Sequence, residues 1–363
     1  MPRKCFAMVL TDTRKFEPRE LPIPEVRDDS ALLRVETCGI CGTDYEQYDG
    51  VIPGPLPAIP GHEPLGVIEA IGDGAARRWG VDVGDRVAVE NMICCGTCPA
   101  CLAGKRQLCA QRRVYAFVSV DTSPGLWGAY SQYMYLDSGS IVHRMDAALP
   151  AELAVLFNPI GAGYRWAVAL PQTKPGDTVL INGPGQRGLA CVLAAREAGA
   201  SQIIVTGLAA DAHKLALAET FGAHACIDVE NEDCRSRVRE LTDGRGADVV
   251  VDVSPHATAP VAEALDNVAM GGTVVLAGIK GERPIPDFLS DKIVVKEITL
   301  RGAIGVDSAS YRNAIRLIES GSVPLEKMHT HDFALEDAEL AIRTLAREVE
   351  DQSAIHCCVT PEH

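Results

Sequence analysis

The chain has 363 residues, 47% of them hydrophobic and 23% charged, an ordinary globular composition and long enough for two domains. Its 34 basic against 49 acidic residues give a net charge of −15, which argues against nucleic acid or an anionic membrane surface as a partner. No apolar run approaches the ~20 residues of a membrane span. The start, MPRKCFAMVLTDTRKF, shows no small-residue cleavage site, so a cytoplasmic protein is expected. Thirteen cysteines in such a chain point to metal ligands and buried thiols rather than disulfides.

Residues 1–155 read as mostly β. Short apolar or alternating runs recur at Ala7–Leu10, Ala31–Glu36, Leu65–Ile71, Arg86–Val89 and Tyr133–Leu136, separated by Pro- and Gly-rich stretches. That spacing predicts a compact barrel-like domain. Two cysteine groups interrupt it.

The first group is Cys38-Gly-Ile-Cys41-Gly-Thr-Asp44, followed by Gly61-His62-Glu63. Cys41, His62 and Glu63 are ligand types that zinc takes in a tetrahedral shell, with one position left open in a catalytic site. A redox C-x-x-C is the rival, but the nearby His-Glu favours metal. The second group places Cys95, Cys98, Cys101 and Cys109 at gaps of two, two and seven residues. Four thiolates in one loop can close a structural Cys₄ cage around zinc. An iron–sulfur cluster is the alternative, and Cys94 could compete with Cys95.

Beyond residue 156 the texture changes. Strand Thr178–Asn182 leads into Gly183, Gly185 and Gly188 in G-x-G-x-x-G spacing, and Leu189–Gly199 reads as helix. The first glycine permits a tight turn, the second a close approach to pyrophosphate, the third close helix–strand packing. Strands Gln202–Thr206, Ala225–Asp228, Asp248–Val253 and Thr273–Ala277 follow, alternating with helices Asp211–Phe221, Glu232–Leu241 and Ala259–Val268. The fold class is therefore α/β, with a doubly wound parallel sheet that binds a dinucleotide. Helices Tyr311–Ser320 and Leu335–Arg347 come next, and Ala354–Thr360 reads as a strand that could return to the first domain.

Taken together, Gly39–Asp44, Gly61–Glu63, the four-cysteine lobe, Gly183–Gly188 and Leu300-Arg-Gly302 resemble the zinc-containing medium-chain alcohol dehydrogenase/reductase family over nearly the whole chain. The resemblance implies a GroES-like β-barrel catalytic domain (1–155, completed by about 305–363) around a Rossmann domain (156–304). It implies reversible oxidation of an alcohol to an aldehyde or ketone, with hydride passing to NAD or NADP. The small-molecule substrate would meet zinc acting as a Lewis acid. Thr43 would take the hydroxyl proton, Asp44 would hold a ligand in place, and the protein would be a homodimer or homotetramer. Gln186, Arg187, Gly207, Lys214, Val253, Ala277 and Arg301 join the three glycines as expected cofactor contacts.

Three departures bear on this reading. Glu46 stands where relatives relay protons through a histidine. Asn158, before Pro159, stands where the family commonly has a Cys or Glu as third zinc ligand, so either Glu63 completes the shell, or Asn158 does so weakly, or the site binds zinc poorly. Arg187 could pair with pyrophosphate or with an anionic substrate group, or be a solvated arginine at a helix start. Gly207 occupies the position of the acid that reads the ribose hydroxyls in NAD-specific relatives, which leaves NAD slightly favoured and NADP open. Two other functions compete: a carbonyl or enoyl reductase without catalytic zinc, and a non-catalytic nucleotide-binding protein. Tyr45, Tyr48, Tyr115, Phe117, Trp127 and Phe157 could line an apolar pocket, but core packing is the expected role for most.

Overall fold

A computed structural model describes residues 3–350 and 353–362. The chain divides into two compact units, residues 1–158 with 315–363, and residues 159–314.

The first unit opens with an antiparallel hairpin, β1 (Lys4–Asp12) and β2 (Lys15–Pro22). Then come β3 (Ala31–Gly39), helix α1 (Gly42–Tyr48), β4 (Glu63–Ile71) and β5 (Arg86–Val89). A small ribbon, β6 (Met92–Ile93) with β7 (Arg113–Val114), frames the cysteine lobe. Strands β8 (Tyr133–Leu136) and β9 (Val142–Arg144) follow.

The second unit supplies β10 (Thr178–Asn182), β11 (Gln202–Gly207), β12 (Ala225–Asp228), β13 (Ala247–Asp252), β14 (Val268–Leu276) and β15 (Thr299–Gly302). They form one parallel sheet in the order β12-β11-β10-β13-β14-β15. Counted from β10 this is 3-2-1-4-5-6, the doubly wound order whose switch point lies between β10 and β13. Leu180, Ile204, Ile227 and Val250 are all fully buried in it, as a sheet covered on both faces requires.

The chain then returns to the first unit with β16 (His329–Ala334) and β17 (His356–Thr360). They extend a seven-stranded sheet ordered β16-β17-β3-β4-β5-β9, with β8 also on β3. The terminal strand thus pairs with β3, through Cys358↔Gly39 and Val359↔Cys38. Its core gathers Val35, Ile68, Trp127, Tyr130 and Val359. Tyr48, Tyr115 and Trp127 are buried in the same core, the packing role expected for them.

Local chemistry explains where the elements depart from expectation. The helix expected from Leu189 begins at Gln186, with Gly185 as N-cap, because the turn is finished by the second glycine. Strand β2, KFEPRELP, carries charge at alternate positions along an exposed hairpin and offers no apolar run to read. Strand β16, HTHDFA, alternates half-buried and exposed residues with only one large apolar side chain, and was not foreseen.

Candidate functional site

Antiparallel pairing of β3 with β4 sets Gly39 opposite Glu63. Cys41, two residues past β3, therefore meets His62 and Glu63 at the start of β4. One donor atom from each of the three lies within 4.8 Å of the others. All are buried: Cys41 is 7% exposed, His62 4% and Glu63 0%. Gly61 makes the approach possible. It sits at φ +88°, and a Cβ there would fall 2.5 Å from the Tyr130 ring and 3.0 Å from Cys38 Sγ.

Asp44, in the first turn of α1, ties the cluster together. Its Oδ2 accepts the Cys41 backbone N–H at 2.8 Å, and its Oδ1 lies 3.2 Å from His62 Nδ1. Burial alone would keep His62 neutral, but the Asp44 charge and the neighbouring Cys41 shift it well above its ordinary range. Thr43 Oγ1 is 3.6 Å from Cys41 Sγ. Glu46, one turn on along the same helix face, is buried, and burial pushes its carboxyl up to about 7. Asn158 is 1% exposed and stands in the helix Phe157–Tyr164, at the boundary of the unit.

The second donor set is closed. Cys95, Cys98, Cys101 and Cys109 bring their sulfurs within 4.8 Å of one another. Cys95 Sγ lies 3.9 Å from Cys101 Sγ and 3.6 Å from Cys109 Sγ, and a tetrahedral zinc with ~2.3 Å bonds would hold sulfurs about 3.8 Å apart. Backbone N–H groups of Thr97 and Cys98 aimed at Cys95 hold its thiol near 6. Cys94 borders the lobe beside Cys109 but donates to Arg106 O at 3.3 Å, and it is Cys95 whose sulfur joins the other three. All thirteen cysteines are free of disulfides.

In the second unit the glycine loop has a distinct geometry at each position. Gly183 adopts φ +105°. A Cβ on Gly188 would lie 1.8 Å from Gly183 O, so no other residue fits where the helix leaves the strand. Around Gly185 nothing lies within 4 Å of such a Cβ, which leaves backbone open for a phosphate. Arg187 packs its guanidinium over Trp166, 5.7 Å from the ring centroid. Gly207 ends β11, where a Cβ would meet Pro184 Cγ at 2.9 Å. The missing acid thus has a packing cause: Pro184 of the glycine loop occupies its room.

The turn after Gly207 still carries carboxylates. Asp211 accepts the Leu208 N–H at 3.2 Å, and Glu230 accepts the Ala209 N–H at 2.8 Å. Lys214 Nζ lies 3.8 Å from Asp211. Val253 and Ala277 stand just past the carboxyl ends of β13 and β14, while Arg301 is exposed on β15. Sequence reasoning missed the ion pair beside them: buried Asp252 lies 2.7 Å from Lys280 Nζ and accepts from Ser254 Oγ at 2.5 Å. An acid closing the apolar strand ADVVVD was the available signal.

Both donor sets fit zinc by ligand type, burial and spacing, and the glycine loop fits a dinucleotide by the room at Gly185. Residues 27–147 match the alcohol dehydrogenase GroES-like domain and residues 188–320 the zinc-binding dehydrogenase domain. A Mycobacterium tuberculosis protein named "Probable alcohol dehydrogenase" is 45% identical over 360 residues, 98% of each chain. The erythritol/L-threitol dehydrogenase of Mycolicibacterium smegmatis is 31% identical over 95% of each chain. Among solved structures, an alcohol dehydrogenase of Thermotoga maritima superposes with TM-score 0.88 at 26% identity, covering 99% of this chain and 100% of that one. A Sinorhizobium meliloti protein assigned as a zinc-binding dehydrogenase and solved with NADP bound gives 0.85 at 26% identity, over 99% of each chain. Among the described residues no helix is long and apolar enough to cross a membrane. The chain is an oxidoreductase that uses Zn²⁺ and NAD(P), and it belongs to the zinc-containing medium-chain alcohol dehydrogenase/reductase family.

Proposed function

We propose that the protein reversibly oxidises a small alcohol or polyol to the carbonyl, with a catalytic zinc on Cys41, His62 and Glu63. The observation that carries this is the convergence of those three buried donors on one another, with Asp44 bound to the Cys41 N–H and to His62 Nδ1. Zinc bound there would act as a Lewis acid that makes a substrate hydroxyl acidic near neutral pH, and NAD(P) would take the hydride. Asp44 holds the His62 ring through Nδ1, which leaves Nε2 to face the other donors. Thr43 would accept the hydroxyl proton, a role supported by its Oγ1 lying 3.6 Å from Cys41 Sγ. Glu46, titrating near 7, can hold that proton one helical turn further on, in the role that a histidine fills in relatives. Glu63 rather than Asn158 supplies the third ligand, since a carboxylate offsets the ion's charge and an amide does not.

Carboxylates of Asp211 and Glu230 at the turn after β11 favour the free ribose hydroxyls of NAD over the 2′-phosphate of NADP. A homodimer or homotetramer is inferred from the resemblance. The test is zinc analysis with NAD-linked oxidation of a panel of simple alcohols and polyols, comparing Glu63→Gln with Asn158→Ala. Metal and turnover should fall in Glu63→Gln. If Asn158→Ala alone loses them, the ligand assignment fails; if the parent holds no zinc that depends on Cys41 and oxidises nothing, the reductase reading replaces this one.

A further inference from the structure

A third cluster of metal-binding side chains, distinct in its donors from the two sets above, lies in the first unit on the other side of Gly39 from Glu63. His329 opens β16 and His356 opens β17, and the parallel register places them side by side. Cys358, two residues along β17, shares the face of His356. The two Nδ1 atoms are 3.1 Å apart, and Cys358 Sγ lies 4.0 Å from each. His356 and Cys358 are fully buried, and the His329 side chain is 10% exposed.

These distances suit one ion. Zinc at about 2.0 Å from each nitrogen and about 2.3 Å from sulfur would hold the nitrogens ~3.4 Å apart and the sulfur ~3.6 Å from each. A hydrogen bond between the imidazoles explains 3.1 Å, but it gives no reason for a thiol equidistant from both nitrogens. The outer nitrogen of His329 also meets an acid. His329 Nε2 lies 3.0 Å from Asp332 Oδ2. His356 Nε2 and Glu63 Oε2 flank one small space, at 3.3 and 2.7 Å from where Gly39 would carry a Cβ. A carboxylate on Nε2–H leaves the Nδ1 lone pair facing inward, the usual outer partner of a ligating histidine.

We propose that His329, His356 and Cys358 form a third metal site, which takes a zinc-like divalent cation through two Nδ1 atoms and one thiolate. Three protein donors leave its fourth position to water or another small ligand. The ion would clamp β16 to the terminal strand β17, and so to β3. The site shares no donor atom with the proposed catalytic set of Cys41, His62 and Glu63, although His356 and Glu63 border the same space beside Gly39.

The test uses the full chain, loaded with Zn²⁺ and dialysed, with zinc counted per chain in the parent, His329→Ala and Cys358→Ser. Each variant should lose one zinc per chain relative to the parent. Cadmium-113 spectra of the Cd²⁺-loaded proteins should show the same single resonance missing in both. His329→Ala removes a partly exposed side chain at a sheet edge, so it carries the test even if Cys358→Ser fails to fold. Cys41→Ser should keep this metal while losing the one at its own site, which separates failure here from failure of the proposed function. A folded His329→Ala with the parent's zinc count and all its cadmium resonances overturns the proposal.

Discussion

Asp44 gives the sharpest test of the proposed catalytic centre, because one buried carboxylate makes two contacts that different substitutions separate. Its side chain is fully shielded, with Oδ2 on the Cys41 N–H at 2.8 Å and Oδ1 3.2 Å from His62 Nδ1. Hydrogen bonds to charged groups contribute about 1.5–3 kcal/mol each. Asp44→Ala removes both and leaves two buried donors unsatisfied, so it should cost about 3–5 kcal/mol of stability. Asp44→Asn keeps one acceptor oxygen, which can stay on Cys41 N–H. Its NH₂ group then faces His62 Nδ1, which must accept, and the ring proton moves to Nε2, the nitrogen needed for metal. This variant should therefore melt within about 1–2 kcal/mol of the parent while binding the catalytic zinc 10–100-fold more weakly. Thermal unfolding, competition with a chromophoric chelator and kcat for a good alcohol substrate read the two effects apart. If Asp44→Asn matches the parent in zinc affinity and kcat, Asp44 does not set the His62 tautomer and the argument for this centre loses its main support.

Other outcomes follow from particular contacts. Cys98→Ser should release one zinc and lower Tm by about 5–10 °C, equivalent to about 2–4 kcal/mol, while the Cys41 centre keeps its metal. Gly188→Ala places a methyl 1.8 Å from Gly183 O; it should cost about 3 kcal/mol or more and abolish NAD binding measured by nucleotide fluorescence. Glu46 titrates at about 7 in the fold against an ordinary 4.5, so the stability it contributes is complete below pH 4.5 and is lost as pH rises through 7. Glu46→Gln should thus be more stable than the parent above pH 7, lose that advantage towards pH 4.5, and remove the limb near pH 7 from the kcat/KM profile. Glu230→Gln should raise kcat/KM for NADP relative to NAD by roughly tenfold, about 1.4 kcal/mol, and an unchanged ratio would exclude Glu230 from cofactor selection.

What the sequence made legible was what lies close along the chain. The four cysteines span one loop and their spacing alone can close a cage. The glycine loop sits between a strand and a helix it helps to define. The βα rhythm of residues 178–277 follows from buried runs such as TVLIN and ADVVVD, which leave little choice of partner face. The sequence offers Arg187 an anion or solvent as partner, and gives no sign that its guanidinium also packs on Trp166. The sequence reads Gly207 through the cofactor it would face and gives no sign that Pro184 crowds the same position. The His329–His356 contact depends on strand register, which side-chain types do not specify when the strand is polar, and the Asp252–Lys280 pair joins the end of β13 to a loop residue beyond β14.

Gly39 shows how far register reaches. It lies on β3 between two partners, opposite Glu63 on β4 and opposite Cys358 on β17. The proposed catalytic donors therefore lie on one side of this residue and the histidine–cysteine cluster on the other. A Cβ at Gly39 would stand 2.7 Å from Glu63 Oε2 and 3.3 Å from His356 Nε2, so the lack of a side chain is what lets the carboxylate and the imidazole turn toward the same space. The C-terminal strand is in this sense part of the site. It adds no donor to Cys41, His62 and Glu63, but by pairing with β3 it fixes what stands behind Glu63, and a carboxylate held from behind has fewer ways to turn.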